Sequence, residues 1–332
     1  MKLRSVLLGL ASIAVGAFLI VSLISVAKID PHATLRQLAS ANRMAFVRLT
    51  LLMALHIFLS AQKWKLMDNV IRRPGDAALS RSAFFAVTSA GVALGQFLPM
   101  QVSMVTARVL GTRLHGRALA RGTIGTIFDQ GSDFLIVCFM IPASVITQIF
   151  ARGPITWLAL AIAMSALALL TVERMIALLR WLAERKITRP NRLQKGLADL
   201  VQSGLLEASL SRKLLGLGIL RFGLVVLMAG ETSRAIGSTI PLWHLAAAMP
   251  FVVVSNVLAI TPGGIGLNEL TYATALNMFG TPLPIAVQWA LANRVLVTSA
   301  AFTVAICTAG ALLAWKSQNL SRPNTIDAVS SL

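Results

Sequence analysis

Charged residues are scarce. Only 13% of the 332 residues are Asp, Glu, Lys or Arg, against roughly a quarter in an ordinary soluble domain. Acidic residues are scarcest, 12 against 30 Lys and Arg, and the net charge is +18. Cysteine is almost absent. Cys138 and Cys307 both sit inside apolar runs, with no CxxC and no metal spacing, so they read as small apolar residues. No HExxH pair links His32, His56, His115 or His244, so no metal and no cofactor is expected. No phosphate-binding loop, nucleophile elbow or dinucleotide fingerprint occurs either. These absences leave no recognisable catalytic constellation.

Apolar residues fill the chain instead. Mean hydropathy is +0.77. Runs near the 20 or so residues that a bilayer-crossing helix needs recur throughout, so the fold class is an all-α polytopic membrane protein. The basic residues lie mainly between these runs. That pattern fits the positive-inside bias and anionic headgroups, not nucleic acid. The first run, Val6–Val26 after Lys2 and Arg4, is longer than the apolar core of a signal peptide, and an uncleaved span is expected.

Full spans are predicted near 6–26, 44–62, 122–150, 155–173, 213–233 and 285–315. Two further apolar stretches, 83–110 and 242–280, are each interrupted by proline, at Leu98-Pro99 and at Thr261-Pro262-Gly263-Gly264-Ile265-Gly266. Proline removes a backbone donor and clashes with the preceding turn, and glycine weakens the helix further. If the first stretch crossed fully, Arg108, Arg113, Arg117 and Arg121 would lie outside. If it dips in and returns, they join Lys63, Lys65, Arg72, Arg73 and Arg81 inside, as the bias requires. The expectation is six spans plus two re-entrant hairpins, with the second span–hairpin–span unit inverted relative to the first. Eight plain spans are the alternative. Lys28, Arg36, Arg43 and Arg48 fall outside in this scheme, against the bias. Inverted repeats with broken helices at matching places are a transporter signature.

One domain over 1–316 is expected, with a basic loop over 174–212 and a polar tail over 317–332. Leu193, Leu197, Leu200, Val201 and Leu205 recur at helical spacing. They predict an amphipathic helix over 191–210, lying at the membrane surface or packed on the span ends.

Non-helical backbone at membrane depth must be enclosed by protein or line a wet cavity. The helix beginning after each break offers a partially positive end that attracts phosphate or carboxylate. The turn at Gly263, Gly264 and Gly266 lets backbone approach a ligand closely. Charges inside spans are costly and mark pathways or ion pairs. They are Asp129 and Asp133, four apart on one helix face, then Arg221, Glu231 and Arg294. Asp133 and Arg294 fall at comparable distances after Pro99 and Pro262 and are expected to line one cavity. Arg294 and Arg221 could fork onto a lipid phosphate. Glu269 could cap its helix, pair with an arginine or carry a proton. Gln96 and Asn256 precede the breaks and could bond the freed carbonyls.

The segment Thr261-Pro-Gly-Gly-Ile-Gly-Leu-Asn-Glu269, with an arginine in the next span, resembles the lysylphosphatidylglycerol synthase transmembrane (flippase-like) family. Leu98-Pro99, Arg108 and Asp133 look like that family's first-half positions, although Met100-Gln101-Val102-Ser103 stands where the family usually shows glycine. The resemblance covers about 5–316 and implies a lipid translocase fold. Some members carry a cytosolic aminoacyl-transferase domain. This sequence ends soon after its last span, so no synthase activity is expected. The resemblance leaves open an anionic phospholipid, an aminoacyl lipid, a glycolipid, or a polyprenyl or hopanoid lipid.

The expected function is a translocase in a bacterial inner membrane, with membrane lipids and their anionic headgroups as partners. Two rivals stand beside it: an intramembrane lipid-modifying enzyme using Asp129, Asp133 or Glu269, and a scaffold that recruits a lipid-synthesis enzyme. Self-association into a homo-oligomer is left open.

Overall fold

The computed structural model describes residues 2–72, 79–114, 119–150, 153–184, 201, 204–205, 207–258 and 261–320, with side chains in the first helix from Ile13 onward. Among these residues there are eleven α-helices and no strand. They are α1 (Lys2–Ala27), α2 (Pro31–Ala39), α3 (Arg43–Ile71), α4 (Arg81–Leu94), α5 (Met100–Leu114), α6 (Leu119–Ile149), α7 (Pro154–Glu184), α8 (Ala208–Ala235), α9 (Leu242–Leu258), α10 (Leu267–Met278) and α11 (Leu283–Leu320). Most of the predicted interfacial helix over 191–210 lies outside the described residues, as does the tail from 321.

Local signals set several boundaries. The Asp30 carboxylate accepts the His32 N–H ahead of Pro31, which opens α2. Asn42 accepts from Met44 and Ala45 to start α3. Ser80 accepts from Ala83 to start α4. Each cap satisfies donors that the first helical turn leaves without a partner.

Stretches of α3, α6, α7, α8 and α11 are long and apolar enough to cross a membrane. These are five of the six predicted spans, and α1, at 26 residues, has the length for the sixth. Outward-facing Leu51, Leu55, Ile127, Ile162, Leu170, Ile306 and Leu313 are exposed. Water would make that apolar belt costly, whereas hydrocarbon does not. Cys138 and Cys307 are exposed free thiols.

The spans run longer than predicted at their polar ends. The helix expected over 44–62 continues to Ile71, and Lys63, assigned to an inside loop by sequence, is fully buried within it. Arg108 was assigned to the next basic cluster, yet it is fully buried inside α5. The physical reason is the same for both: each has a carboxylate partner inside the bundle. The basic loop is also shorter than 174–212, because α7 continues to Glu184 and α8 begins at Ala208.

Two relationships position the site. First, α3 and α8 are antiparallel along their whole length. The Asn42 N–H meets the Ala235 carbonyl at 2.8 Å, Arg48 meets Glu231 at 2.8 Å, and His56 meets Arg221 at 3.2 Å. Second, each proline-broken stretch folds into an antiparallel hairpin. Gly111 backs onto Val87, Gly91 onto Met104 and Ala107, and Gly95 onto Ser103. Small residues on this seam bring α4 and α5 close together. In the second hairpin Tyr272 faces Met249 at 3.3 Å and Ser255 donates to Asn268 at 3.0 Å. At its open end His244 meets Thr281 at 3.0 Å. The first hairpin follows the end of α3 and the second follows the end of α8. Because those two helices are antiparallel, the hairpins open towards opposite ends of the bundle.

Candidate functional site

The α3 spacing places His56, Ser60 and Lys63 on one helix face. Against that face lie Arg108 from α5, Asp129 and Asp133 from α6, and Arg221 from α8. Lys63 Nζ lies 2.8 Å from Asp129 Oδ1 and 2.5 Å from Asp133 Oδ1, and it also donates to the Asp129 carbonyl at 3.0 Å. Arg108 donates to Asp129 Oδ2 at 2.7 Å and to Ser60 Oγ at 3.2 Å, with its guanidinium 5.3 Å from the centre of the Trp64 ring. Arg221 pairs with Asp133, and its Nη2 lies 3.2 Å from His56 Nε2. Asp129 and Asp133 share one helix face, as their spacing predicted. Gly218 leaves room for the cluster, because a Cβ there would lie 2.8 Å from Asp133 Oδ1.

Three cations meet two carboxylates in this cluster, so one positive charge is unmatched within it. Burying such charge is costly unless it is paired. Arg221 Nε, and Arg108 Nε and Nη1 behind it, are buried with no hydrogen-bond partner.

The second polar element is the tip of the second hairpin. Gly263, Gly264 and Gly266 have φ of +59°, +68° and +83°, a region glycine enters without a Cβ penalty. A Cβ on Gly263 would collide with the Gln96 carbonyl oxygen in the tip of the first hairpin, and one on Gly266 would lie 2.6 Å from the Gly16 carbonyl oxygen in α1. The close approach that the glycines permit is therefore taken by protein. Glu269 Oε2 accepts the Gly266 N–H at 2.6 Å and caps α10, and its Oε1 lies 3.7 Å from Arg294 Nε. Of the roles read from sequence, capping and pairing are both present. The helix end expected to attract a phosphate already holds this carboxylate.

Arg294 Nη2 donates to the Gln96 carbonyl at 2.9 Å, and Thr298 donates to Gln96 Oε1 at 3.1 Å. The Gln96 amide donates to the Val92 carbonyl at 3.3 Å, bonding its own helix end as expected. Asn256 instead accepts from the Asn268 amide at 2.6 Å.

A cavity of about 550 Å³ lies between these elements. Asp129, Asp133, Arg221, Asn256, Gly263, Glu269 and Arg294 line it, so Asp133 and Arg294 share one cavity as predicted. Arg108 stands behind Asp129 and does not line it. Pro99, Pro262, Gly264 and Gly266 shape the hairpin tips without lining it. Sequence reasoning missed Lys63, which holds both aspartates, and the lining residues Tyr272, Asn268 and Asn293. The helical spacing of His56, Ser60 and Lys63 could have revealed the first by extending the helix past residue 62. Glu231 lies apart from the cavity and pairs with Arg48 and Arg234. Among the described residues no cluster of three metal-ligating side chains occurs.

Comparison with known proteins adds the family. No curated protein and no solved structure matches the chain significantly. A family model described as the lysylphosphatidylglycerol synthase TM region matches residues 8–318. The long apolar helices agree with that description, and the chain belongs to this family of multi-pass membrane proteins.

Proposed function

We propose that the protein is a lipid translocase of a bacterial inner membrane, carrying an anionic headgroup through the cavity between the two hairpins. The observation behind this reading is the buried cluster of Lys63, Arg108, Arg221, Asp129 and Asp133, with its unmatched positive charge and with Arg221, 15% exposed, lining the cavity. A guanidinium forks onto phosphate oxygens, and a headgroup phosphate would supply the missing anion. Each carboxylate that could serve an enzyme is already engaged: Asp129 by Lys63 and Arg108, Asp133 by Lys63 and Arg221, Glu269 by Gly266 and Arg294. Carrying the lipid fits this set better than modifying it.

The same reading makes both hairpins re-entrant. The α4 and α10 arms have 14 and 12 residues. At about 1.5 Å per residue neither reaches across a hydrocarbon core of about 30 Å. The first tip meets Arg294 and Thr298, near the middle of the apolar stretch of α11. The second meets Gly16, near the middle of α1. Opposed hairpins on antiparallel α3 and α8 suit an inverted repeat with its site at mid-depth.

The test is translocation of headgroup-labelled phosphatidylglycerol in reconstituted liposomes. Arg294→Ala and Arg221→Gln should each abolish it in protein that still reconstitutes. Unchanged transport in both variants refutes the assignment.

A further inference from the structure

A second cavity, of about 380 Å³, lies on the other side of the Arg294–Glu269 pair. Its walls are apolar: Ile20 and Ile24 of α1, Leu35 and Leu38 of α2, Leu291 and Val295 of α11. Glu269 and Arg294 line it at one place and also line the larger cavity. One ion pair therefore forms a shared wall between the larger cavity, which holds the charged cluster among mainly apolar residues, and a smaller one whose walls are apolar almost throughout. We propose that the apolar cavity binds a single hydrocarbon chain of the lipid whose headgroup occupies the larger cavity, with the Arg294–Glu269 pair at the junction of head and chain. The identity of that headgroup rests on the translocase reading; the chain site rests on the apolar walls.

The physical case has three parts. Leu35 and Val295 on these walls are 62% and 48% exposed, so the hollow is a groove open at the surface of the bundle, where water would find too few polar partners. A hydrocarbon chain is the filler that the surrounding bilayer supplies. The second part is position. Gln37 of α2 donates to the Ile236 carbonyl at 2.6 Å, and Asn42 bonds Ala235. These contacts hold α2 at the end of the bundle where α8 finishes and the second hairpin opens. Lys63 and Asp129 lie toward the opposite half of α3, so an amphiphile spanning the junction has charge on one side and hydrocarbon on the other. The third part is the junction itself. The Glu269 side chain is only 2% exposed, whereas that of Arg294 is 23% exposed. Glu269 is fixed as the cap of α10, so the more exposed guanidinium, which bonds the Gln96 carbonyl through Nη2, is the member of the pair that a headgroup would meet.

Chain crosslinking in nanodiscs tests this. The probe is phosphatidylglycerol with a diazirine midway along one acyl chain, and crosslinked residues are mapped by mass spectrometry. Wild-type protein should crosslink at Ile24, Leu38 and Leu291 as well as at the outward-facing Ile306 and Leu313. Leu291→Trp fills the cavity from α11 and Ile24→Trp fills it from α1. Each should abolish crosslinks at the remaining cavity positions and leave those at Ile306 and Leu313 unchanged. Either variant alone suffices if the other fails to fold. Wild-type crosslinks confined to Ile306 and Leu313, or cavity crosslinks that persist in the filled variants, overturn the chain site. Such a result leaves the headgroup assignment to the Arg294→Ala transport assay, whose failure would in turn leave cavity crosslinks standing, so the two readings fail separately.

Discussion

Arg294 reaches from α11 to the backbone carbonyl of Gln96, 2.9 Å away and 198 residues earlier in the chain. One guanidinium thus holds the tip of the first hairpin while lying 3.7 Å from Glu269 of the second. The two hairpins meet through this side chain and through the direct approach of Gly263 to the same carbonyl. Any motion that opens the cavity toward α1 must disturb these contacts.

Gly263→Ala should therefore be severe. It adds a left-handed strain of about 1–2 kcal/mol to a collision with backbone that cannot swing aside. Gly280 is the control: its φ is +90°, but nothing lies within 4 Å of an added Cβ. Gly280→Ala should cost only the conformational term of about 1–2 kcal/mol. Thermal unfolding in detergent should rank Gly263→Ala well below Gly280→Ala, and equal melting would refute the tip contact.

Lys63→Met should destabilise by about 3–5 kcal/mol, because it leaves Asp129 and Asp133 short of a buried partner. Adding Asp133→Asn should recover part of that loss, since the amide removes a charge that Lys63 had balanced. A double-mutant cycle on unfolding free energies measures the coupling. Additive effects would show that the 2.5 Å contact contributes nothing.

How much of this could be read from sequence depended on the type of signal. Pro99 and Pro262 announced the two breaks because a proline acts on its own helix. Asp129 and Asp133 announced a shared face because their spacing is local. Lys63 was misread as a loop cation, and Arg108, matched to the family's arginine-bearing helix, was also counted with the basic residues inside, because a basic residue at the end of an apolar run looks the same whether it meets headgroups or a buried carboxylate 66 or 21 residues away. Gly263 and Gly266 could be identified as close-approach positions, but the groups they approach, Gln96 and Gly16, come from distant segments. The Arg294–Gln96 contact left no trace at all, since its acceptor is a backbone carbonyl and any residue type supplies one.

The opposed opening of the hairpins predicts opposite labelling. Arg113 is at the exposed end of α5, and Met278 is 53% exposed at the end of α10. In a background with Cys138 and Cys307 changed to Ser, Arg113→Cys and Met278→Cys should react with a membrane-impermeant maleimide from opposite sides. Labelling of both from one side would refute the hairpin topology.

Glu269 separates structure from charge. Its Oε2 accepts the Gly266 N–H and its Oε1 faces Arg294. Glu269→Gln keeps an oxygen to cap α10 but removes the charge opposite the guanidinium. Glu269→Ala removes both, and loss of a cap costs about 1 kcal/mol. Melting should therefore fall in the order wild type, Gln, Ala, with the Gln variant close to wild type. Translocation should respond differently: the Gln variant should release Arg294 from its partner and change the transport rate as much as the Ala variant does. If transport instead tracks melting across the three proteins, Glu269 only holds the helix end, and the ion pair between the cavities has no part in moving lipid.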